Sequence, residues 1–176
     1  SFELVNEDTL QPSENKKKYL VIGGGPAGME AAYVLKKRGH EVVLCEAKSE
    51  LGGQLHLACV PIGKQELTKI VKYMKKRLDN LNVDVRLNTL VTKELIEAEF
   101  ADYEIVATFG AKPNIIKPFT VFKDAVTADE ILAGKKFPGR KIVIIGGGSV
   151  GSELADYLAP LLNDRFPRNR DITLLE

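Results

Sequence analysis

The chain has little from which to build a covalent scaffold or a metal centre. Its 176 residues include two cysteines, Cys45 and Cys59, and two histidines, His40 and His56. Two thiols cannot make the disulfide framework of a small secreted domain, and nothing points to an oxidising compartment. The histidines stand alone, without a carboxylate or cysteine at ligand spacing, so no metal site is assigned. No charge of one sign dominates either: 25 basic and 24 acidic residues leave a formal charge of +1. That removes the electrostatic footprint of a nucleic-acid or anionic-membrane binder. The uncharged runs Tyr19–Met29 and Ile142–Ser152 are glycine-rich and far short of the ~20 apolar residues of a membrane span. The N-terminus carries no signal-peptide pattern, so a cytoplasmic setting is expected. No initiator methionine opens the chain, which leads us to expect a processed product or a piece of something longer.

What remains is the composition of an ordinary globular protein, 44% hydrophobic and 28% charged. Residues Ser1–Lys18 read as a flexible linker, because Glu3, Glu7, Asp8 and Glu14 are scattered among few apolar residues. Its last three residues, Lys16, Lys17 and Lys18, read as a solvated run before the first strand.

One internal repeat organises the rest. Tyr19–Ala32 and Lys141–Ala155 each hold a short apolar strand, three glycines, a spacer, a further glycine and a helix opening. Gly23 aligns with Gly146, Gly25 with Gly148, Gly28 with Gly151 and Glu30 with Glu153, at one constant offset. Two such copies do not make a solenoid, whose periods are ~20–50 residues. They point to two nucleotide-binding βαβ units of one kind, in an α/β protein with a Rossmann-like doubly wound parallel sheet and a truncated second unit.

In the first unit a helix carries Met29, Ala32, Val34 and Leu35 toward the sheet and stops at Lys36–Gly39, with cations at its negative end. Glu41–Glu46 is then a strand ending in an acid. The second unit repeats this through Leu154, Leu158 and Leu161–Leu162 to the strand Asp171–Glu176, with Asn163–Arg170 lengthening the crossover. Between the units, Gln65–Leu81 is an amphipathic helix with Leu67, Ile70, Val71, Met74 and Leu78 on its core stripe. Val83, Val85 and Leu87 alternate as a strand, Thr92–Phe100 is a short helix, and Glu104–Thr108 reads as a buried strand. Thr127-Ala128-Asp129-Glu130 has the capping-box pattern and opens a helix to Ala133. The expected organisation is a linker over 1–18, an FAD-binding domain over 19–135 and the start of an NAD(P)-binding domain over 136–176.

In Gly23-x-Gly25-x-x-Gly28 each glycine has its own task. The first permits a tight turn out of the strand, the second lets a pyrophosphate approach the backbone, and the third lets the helix pack closely on the sheet. The helix N-terminus then offers N–H groups and the positive dipole end to the phosphates. Glu46, at the end of the next strand, suits hydrogen bonds from a ribose diol. A glycine-rich turn with a purely structural purpose is the plainer alternative for either loop. Glu176 occupies in the second unit the place of Glu46 in the first, so a free ribose diol is favoured and NADH is expected over NADPH.

Further residues carry a family resemblance. Leu51-Gly52-Gly53-Gln54-Leu55, followed by Ala58-x-Val60-Pro61-x-Gly63-Lys64-x-Glu66-Leu67, resembles the flavin/nicotinamide half of the 2,4-dienoyl-CoA reductase and 2-enoate reductase group. These are old-yellow-enzyme-type oxidoreductases with a pyridine nucleotide-disulfide oxidoreductase-like fold. The likeness runs from about Tyr19 to Glu176 and includes Val126–Lys135. It implies that Gly23, Gly25, Pro26, Ala27 and Gly28 hold the FAD pyrophosphate, and Glu46 the adenosine ribose. It implies too that Gly53 and Gln54 lie along the cofactor toward the flavin, and that Val91 offers backbone groups to adenine. Gly146, Gly148, Gly151 and Glu176 would hold NADH. Ala107-Thr108-x-Gly110 resembles the Ala-Thr-Gly turn of such proteins, with Phe109 standing between threonine and glycine.

The group also carries a barrel domain with FMN and an iron–sulfur cluster, so the resemblance implies that hydride passes from NADH to FAD and on to an unsaturated acceptor in a barrel outside this chain. In the resembled fold a later segment closes on the flavin side, so this chain alone is expected to bind ADP better than FAD's flavin contacts would add. A nucleotide-holding module without hydride chemistry, or an electron-feeding subunit like the small subunit of glutamate synthase, are the alternatives. Disulfide catalysis is not expected: the residues after Gly52-Gly53 lack the first cysteine of a redox pair, and one sulfur cannot exchange alone. Cys45 reads as a small core residue, and Glu30 and Glu153 as first-turn acids favoured by the helix dipole. No catalytic residue is assigned.

Overall fold

The computed structural model describes residues 10–110, 122–159 and 170–176. In chain order it contains β1 (Lys18–Ile22), α1 (Pro26–Lys37), β2 (Glu41–Cys45), α2 (Leu55–Ala58), α3 (Leu67–Asn80), β3 (Asp84–Arg86), α4 (Lys93–Glu99) and β4 (Glu104–Ala107), then α5 (Ala128–Leu132), β5 (Lys141–Ile145), α6 (Ser149–Leu158) and β6 (Asp171–Leu175). The chain divides into two compact units. One holds the described residues of Ser1–Leu55 and Thr68–Gly110, the other those of His56–Leu67 and Ala111–Glu176.

In the first unit four parallel strands lie in the order β3-β2-β1-β4. From β1 the chain steps to β2 and β3 on one side, then returns to set β4 on the other. This is doubly wound topology, and its switch point lies between β1 and β4. Strand alternation supplies two cores, as a parallel sheet covered on both faces requires. Val21, Val42 and Leu44 pack with Met29, Ala32 and Tyr33 of α1 and Leu78 of α3. Leu20, Val43 and Cys45 face the other way, against Phe100 and the α4 residues Leu95 and Ile96. Arg77 ties α3 to α1, with Nη1 at 2.6 Å and Nη2 at 3.1 Å from the Glu30 carboxylate and its guanidinium 3.5 Å from the Tyr33 ring centroid.

Several expectations are corrected by packing. Lys18 belongs to β1, and two residues before it bond to the fold: Ser13 N–H donates to Arg38 O, and Lys17 N–H to Nδ1 of the buried His40. Lys17 and Lys18 pair with Glu104 and Asp102 at 2.5 and 2.8 Å. Helix α3 starts at Leu67, and Ile70, expected in its core stripe, is 44% exposed while Val71 and Leu78 are buried. Among the described residues β4 pairs with β1 alone, and there Ile105 is 47% exposed where a buried strand was expected. Glu30 and Glu153 lie beyond the first turns of α1 and α6, which hold no acid; they pair with Arg77 and Lys64 instead.

The second unit is built on the parallel pair β5 and β6. Ile144 of β5, Leu154, Tyr157 and Leu158 of α6, and Ile131 of α5 form its core. Helix α5 opens with the expected capping box between Thr127 and Glu130. As compact bodies the units divide before Ala111, so α5, grouped by sequence with the first βαβ unit, packs in the second. The expected Leu161–Leu162 contacts and most of Asn163–Arg170 lie outside the described residues.

Candidate nucleotide-binding sites

The first glycine loop sits at the carboxyl end of β1, beside the switch point. Gly23 turns the chain with φ +106°, a region L side chains rarely adopt, and its N–H donates to Cys45 O at 2.9 Å. The next N–H, of Gly24, donates to Glu46 Oε2 at 2.6 Å. The other carboxylate oxygen, Oε1, accepts from Lys48 N–H at 2.9 Å. Glu46 is only 8% exposed, and its backbone is bonded on both sides, to Arg86 O and from Thr89 N–H. Each carboxylate oxygen retains a second acceptor site, so the group can still receive ribose hydroxyls.

Steric demand separates the glycines by purpose. A Cβ on Gly28 would lie 1.8 Å from Gly23 O, so only glycine lets α1 sit this close to the turn. One on Gly24 would meet Leu51 Cδ2 at 2.3 Å. One on Gly53, which has φ +55°, would meet Gly25 Cα at 2.8 Å. Gly25 is different. Its φ and ψ of −74° and −179° suit any residue, and its Cβ would touch no described residue nearer than Gly53 Cα at 3.9 Å. No internal contact explains this glycine. The space it leaves faces the start of α1, where no side chain caps the helix and Pro26 fills the first position. The amides of Ala27 and Gly28 lie in that first turn, where a helix has no acceptor of its own. A backbone cradle with spare donors and vacant Cβ space fits a pyrophosphate.

The second loop repeats these features. Gly146 has φ +109°, and its N–H donates to Leu175 O at 2.7 Å. Gly151 would place a Cβ 1.8 Å from Gly146 O, while a Cβ on Gly148 would have nothing within 4 Å among the described residues. Gly148 caps α6 with extended angles and no side-chain cap. Glu176 follows β6, and its Cγ lies 3.6 Å from a Cβ built on Gly147. A cleft of about 1160 Å³ in this unit includes Gly146, Gly148, Gly151, Val143, Phe137 and Glu176 in its lining.

Among the residues singled out by sequence, Gly23, Gly25, Pro26, Ala27, Gly28, Glu46 and Gly53 come together around the first loop. The loop after β2 is fastened there by Gly52 N–H to Gly24 O at 2.8 Å. Gln54 reaches Gly110, with its Nε2 3.2 Å from a Cβ placed there. Val91 directs its side chain into the Leu20–Val43–Cys45–Phe100 core rather than to the loop. Thr108 and Lys48 were not singled out as contacts. Thr108 Oγ1 lies 3.0 Å from both Ile22 O and Gly23 O. Thr108 stood out in the sequence as part of the Ala107-Thr108-x-Gly110 turn, but its partners are legible only once the strand order is known. Cys45 is buried, and burial pushes its thiol pKa up; Cys59 donates to His56 O, and neither forms a disulfide.

Fold and loops together define a protein with two dinucleotide-binding βαβ units. The chain belongs to the pyridine nucleotide-disulphide oxidoreductase family, whose pattern it matches over residues 17–176. It is 45% identical over 157 residues to a bilirubin reductase of Mediterraneibacter gnavus, covering 88% of this chain and 24% of that protein. It is 41% identical over 149 residues to an NADH oxidase of Thermoanaerobacter brockii, covering 82% and 23%. The solved structure of a 2-naphthoyl-CoA reductase with 2-naphthoyl-CoA superposes with a TM-score of 0.81 at 32% identity, over 94% of this chain and 24% of that one. These matches bear out the resemblance to old-yellow-enzyme-type reductases carried by Leu51–Leu67. The chain spans about a quarter of the length of the relatives it matches.

Proposed function

We propose that this chain is the FAD- and NADH-binding region of a flavin-dependent oxidoreductase, delivering electrons to an unsaturated acceptor in a barrel domain of the same protein. The observation that carries this reading is the pair Gly25 and Gly148: in each loop a Cβ on the middle glycine meets no described residue closer than 3.9 Å, so the room it leaves suits a ligand. The NADH oxidase and reductase relatives support the direction of electron flow. FAD supplies the chemistry when bound, accepting hydride from reduced nicotinamide and releasing electrons onward.

The chain's own residues bind and orient. Gly25, Ala27 and Gly28 present N–H groups to the FAD pyrophosphate, while Pro26, which has no N–H, holds the helix start in its bent form. Glu46 is held by two backbone donors and keeps its remaining acceptor sites for the adenosine ribose. Gly53 and Gln54 line the way toward the flavin, and the backbone at Val91 borders the adenine. Gly146, Gly148 and Gly151 receive the nicotinamide dinucleotide. Glu176 accepts from its ribose diol and meets a 2′-phosphate with like charge, which favours NADH over NADPH. No side chain here is assigned a proton-transfer or nucleophilic role. The free thiols support a cytoplasmic setting. The domains proposed are an FAD-binding one from 19 and an NAD-binding one that starts within the second compact unit, which also holds α5.

An anaerobic absorption spectrum of the full-length protein tests this. The expected result is a flavin spectrum bleached by NADH. ADP as the sole nucleotide extracted, with no flavin, contradicts it.

A further inference from the structure

Thr108 stands at the end of β4, on the far side of the switch point from the β2 end that holds Glu46. Its N–H continues the strand pairing, donating to Ile22 O at 2.9 Å. Its hydroxyl leaves that pairing and lies 3.0 Å from both Ile22 O and Gly23 O, so one proton serves two carbonyls at the turn. The same oxygen is 2.6 Å from the position of a Cβ on Gly28, which puts it inside the contact between turn and helix. The carbonyl group of Thr108 itself lies 3.2 Å from the Cβ position of Gly23.

Gly146 takes φ +109° against +106° for Gly23, so the two turns share nearly the same backbone form. At the first turn Thr108 adds a tie to β4.

We propose that Thr108 is a positioning residue for the first glycine loop, locking the Gly23 carbonyl to β4 so that the loop is already ordered when a diphosphate arrives. This rests on the assignment of that loop to the ADP half of FAD. A loop ordered in advance loses less freedom on binding, and the gain falls on ligands that use its amides. Adenosine, which has no phosphate, gains nothing from it.

The test is NMR titration of the 176-residue chain with ADP and with adenosine, for the wild type, Thr108→Val and Thr108→Ser. Val keeps the shape and removes the hydroxyl, while Ser keeps the hydroxyl. The expected result is ADP affinity lowered about fivefold by Thr108→Val and within about twofold of wild type for Thr108→Ser, with adenosine affinity unchanged in both. Equal ADP affinity for Thr108→Val and wild type overturns the proposal and leaves the assignment of the loop intact. Parallel loss of ADP and adenosine affinity overturns it as well, because it marks general support of the fold. A wild-type chain that binds neither ligand overturns the loop assignment and the proposal together.

Discussion

The N–H of Gly24 and the carboxylate of Glu46 are joined at 2.6 Å, linking the loop after β1 to the end of β2. The acid that sequence motifs assign to a ribose is therefore also a strut of the first glycine loop. Replacing Glu46 with Gln tests this double duty. An amide has one acceptor oxygen, so its NH2 must face either the buried Gly24 N–H or the more exposed Lys48 N–H, and one of the two donors loses its partner. Thermal or urea unfolding is expected to show a loss of about 1–3 kcal/mol. ADP affinity falls in the same variant, whereas an acid serving the ribose alone would leave stability unchanged.

Gly28 is expected to be the least replaceable glycine of the loop. Alanine there places a Cβ 1.8 Å from Gly23 O and 2.6 Å from Thr108 Oγ1, and a backbone oxygen cannot swing aside as a side-chain end can. Overpacking of this kind costs about 1–3 kcal/mol or more. Urea unfolding of Gly28→Ala checks it, and an unfolding midpoint equal to wild type contradicts the close helix–turn packing.

The N-terminal end of β1 carries two exposed ion pairs whose strength depends on pH. Hydrogen bonds from Lys17 and Lys18 lower the pKa of Glu104 and Asp102 below their ordinary 4.5 and 3.8, and the same pairs raise both lysines above 10.5. A carboxylate with a depressed pKa stabilises the fold above its unfolded value and loses that contribution as pH falls through the folded one. A lysine with a raised pKa contributes fully below its unfolded value and loses this as pH rises through the folded one. The pairs are exposed, so their effect is small and falls with salt. Thermal midpoints measured across pH should be flat with respect to these pairs between the two windows and should decline in acid. The double variant Asp102→Asn/Glu104→Gln should lose part of that acid decline.

Glu176 predicts cofactor choice. Steady-state kinetics of the full-length protein should give a larger kcat/KM for NADH than for NADPH, since a 2′-phosphate beside this carboxylate meets like charge. A larger value for NADPH contradicts the role given to Glu176.

The glycine loops, strands and capped helices were legible because their signals are local. Gly23 and Gly146 announce turns by spacing, the alternation in β1 and β2 follows a period of two, and Thr127 with Glu130 closes a box within one turn. Exposure of Ile70 and Ile105 was not legible, because it depends on which elements pack beside them among the described residues, and that is set by the strand order. The same limit hid the pairing of Glu30 with Arg77 and the hydroxyl tie from Thr108 to Gly23. Each joins residues far apart in sequence, and only the strand order brings them together.

The central claim is that Gly25 is glycine for a ligand's sake. Its backbone angles admit valine, and its Cβ direction is open to 3.9 Å, so Gly25→Val should fold with a thermal midpoint close to wild type. Calorimetric titration of wild type and Gly25→Val with ADP is the most direct measurement. The expected result is binding by the wild type and an affinity lower by about tenfold or more in the variant, because a branched side chain then fills the space a pyrophosphate must enter. Equal ADP affinity in the two proteins would contradict the account and return the first loop to a purely structural role.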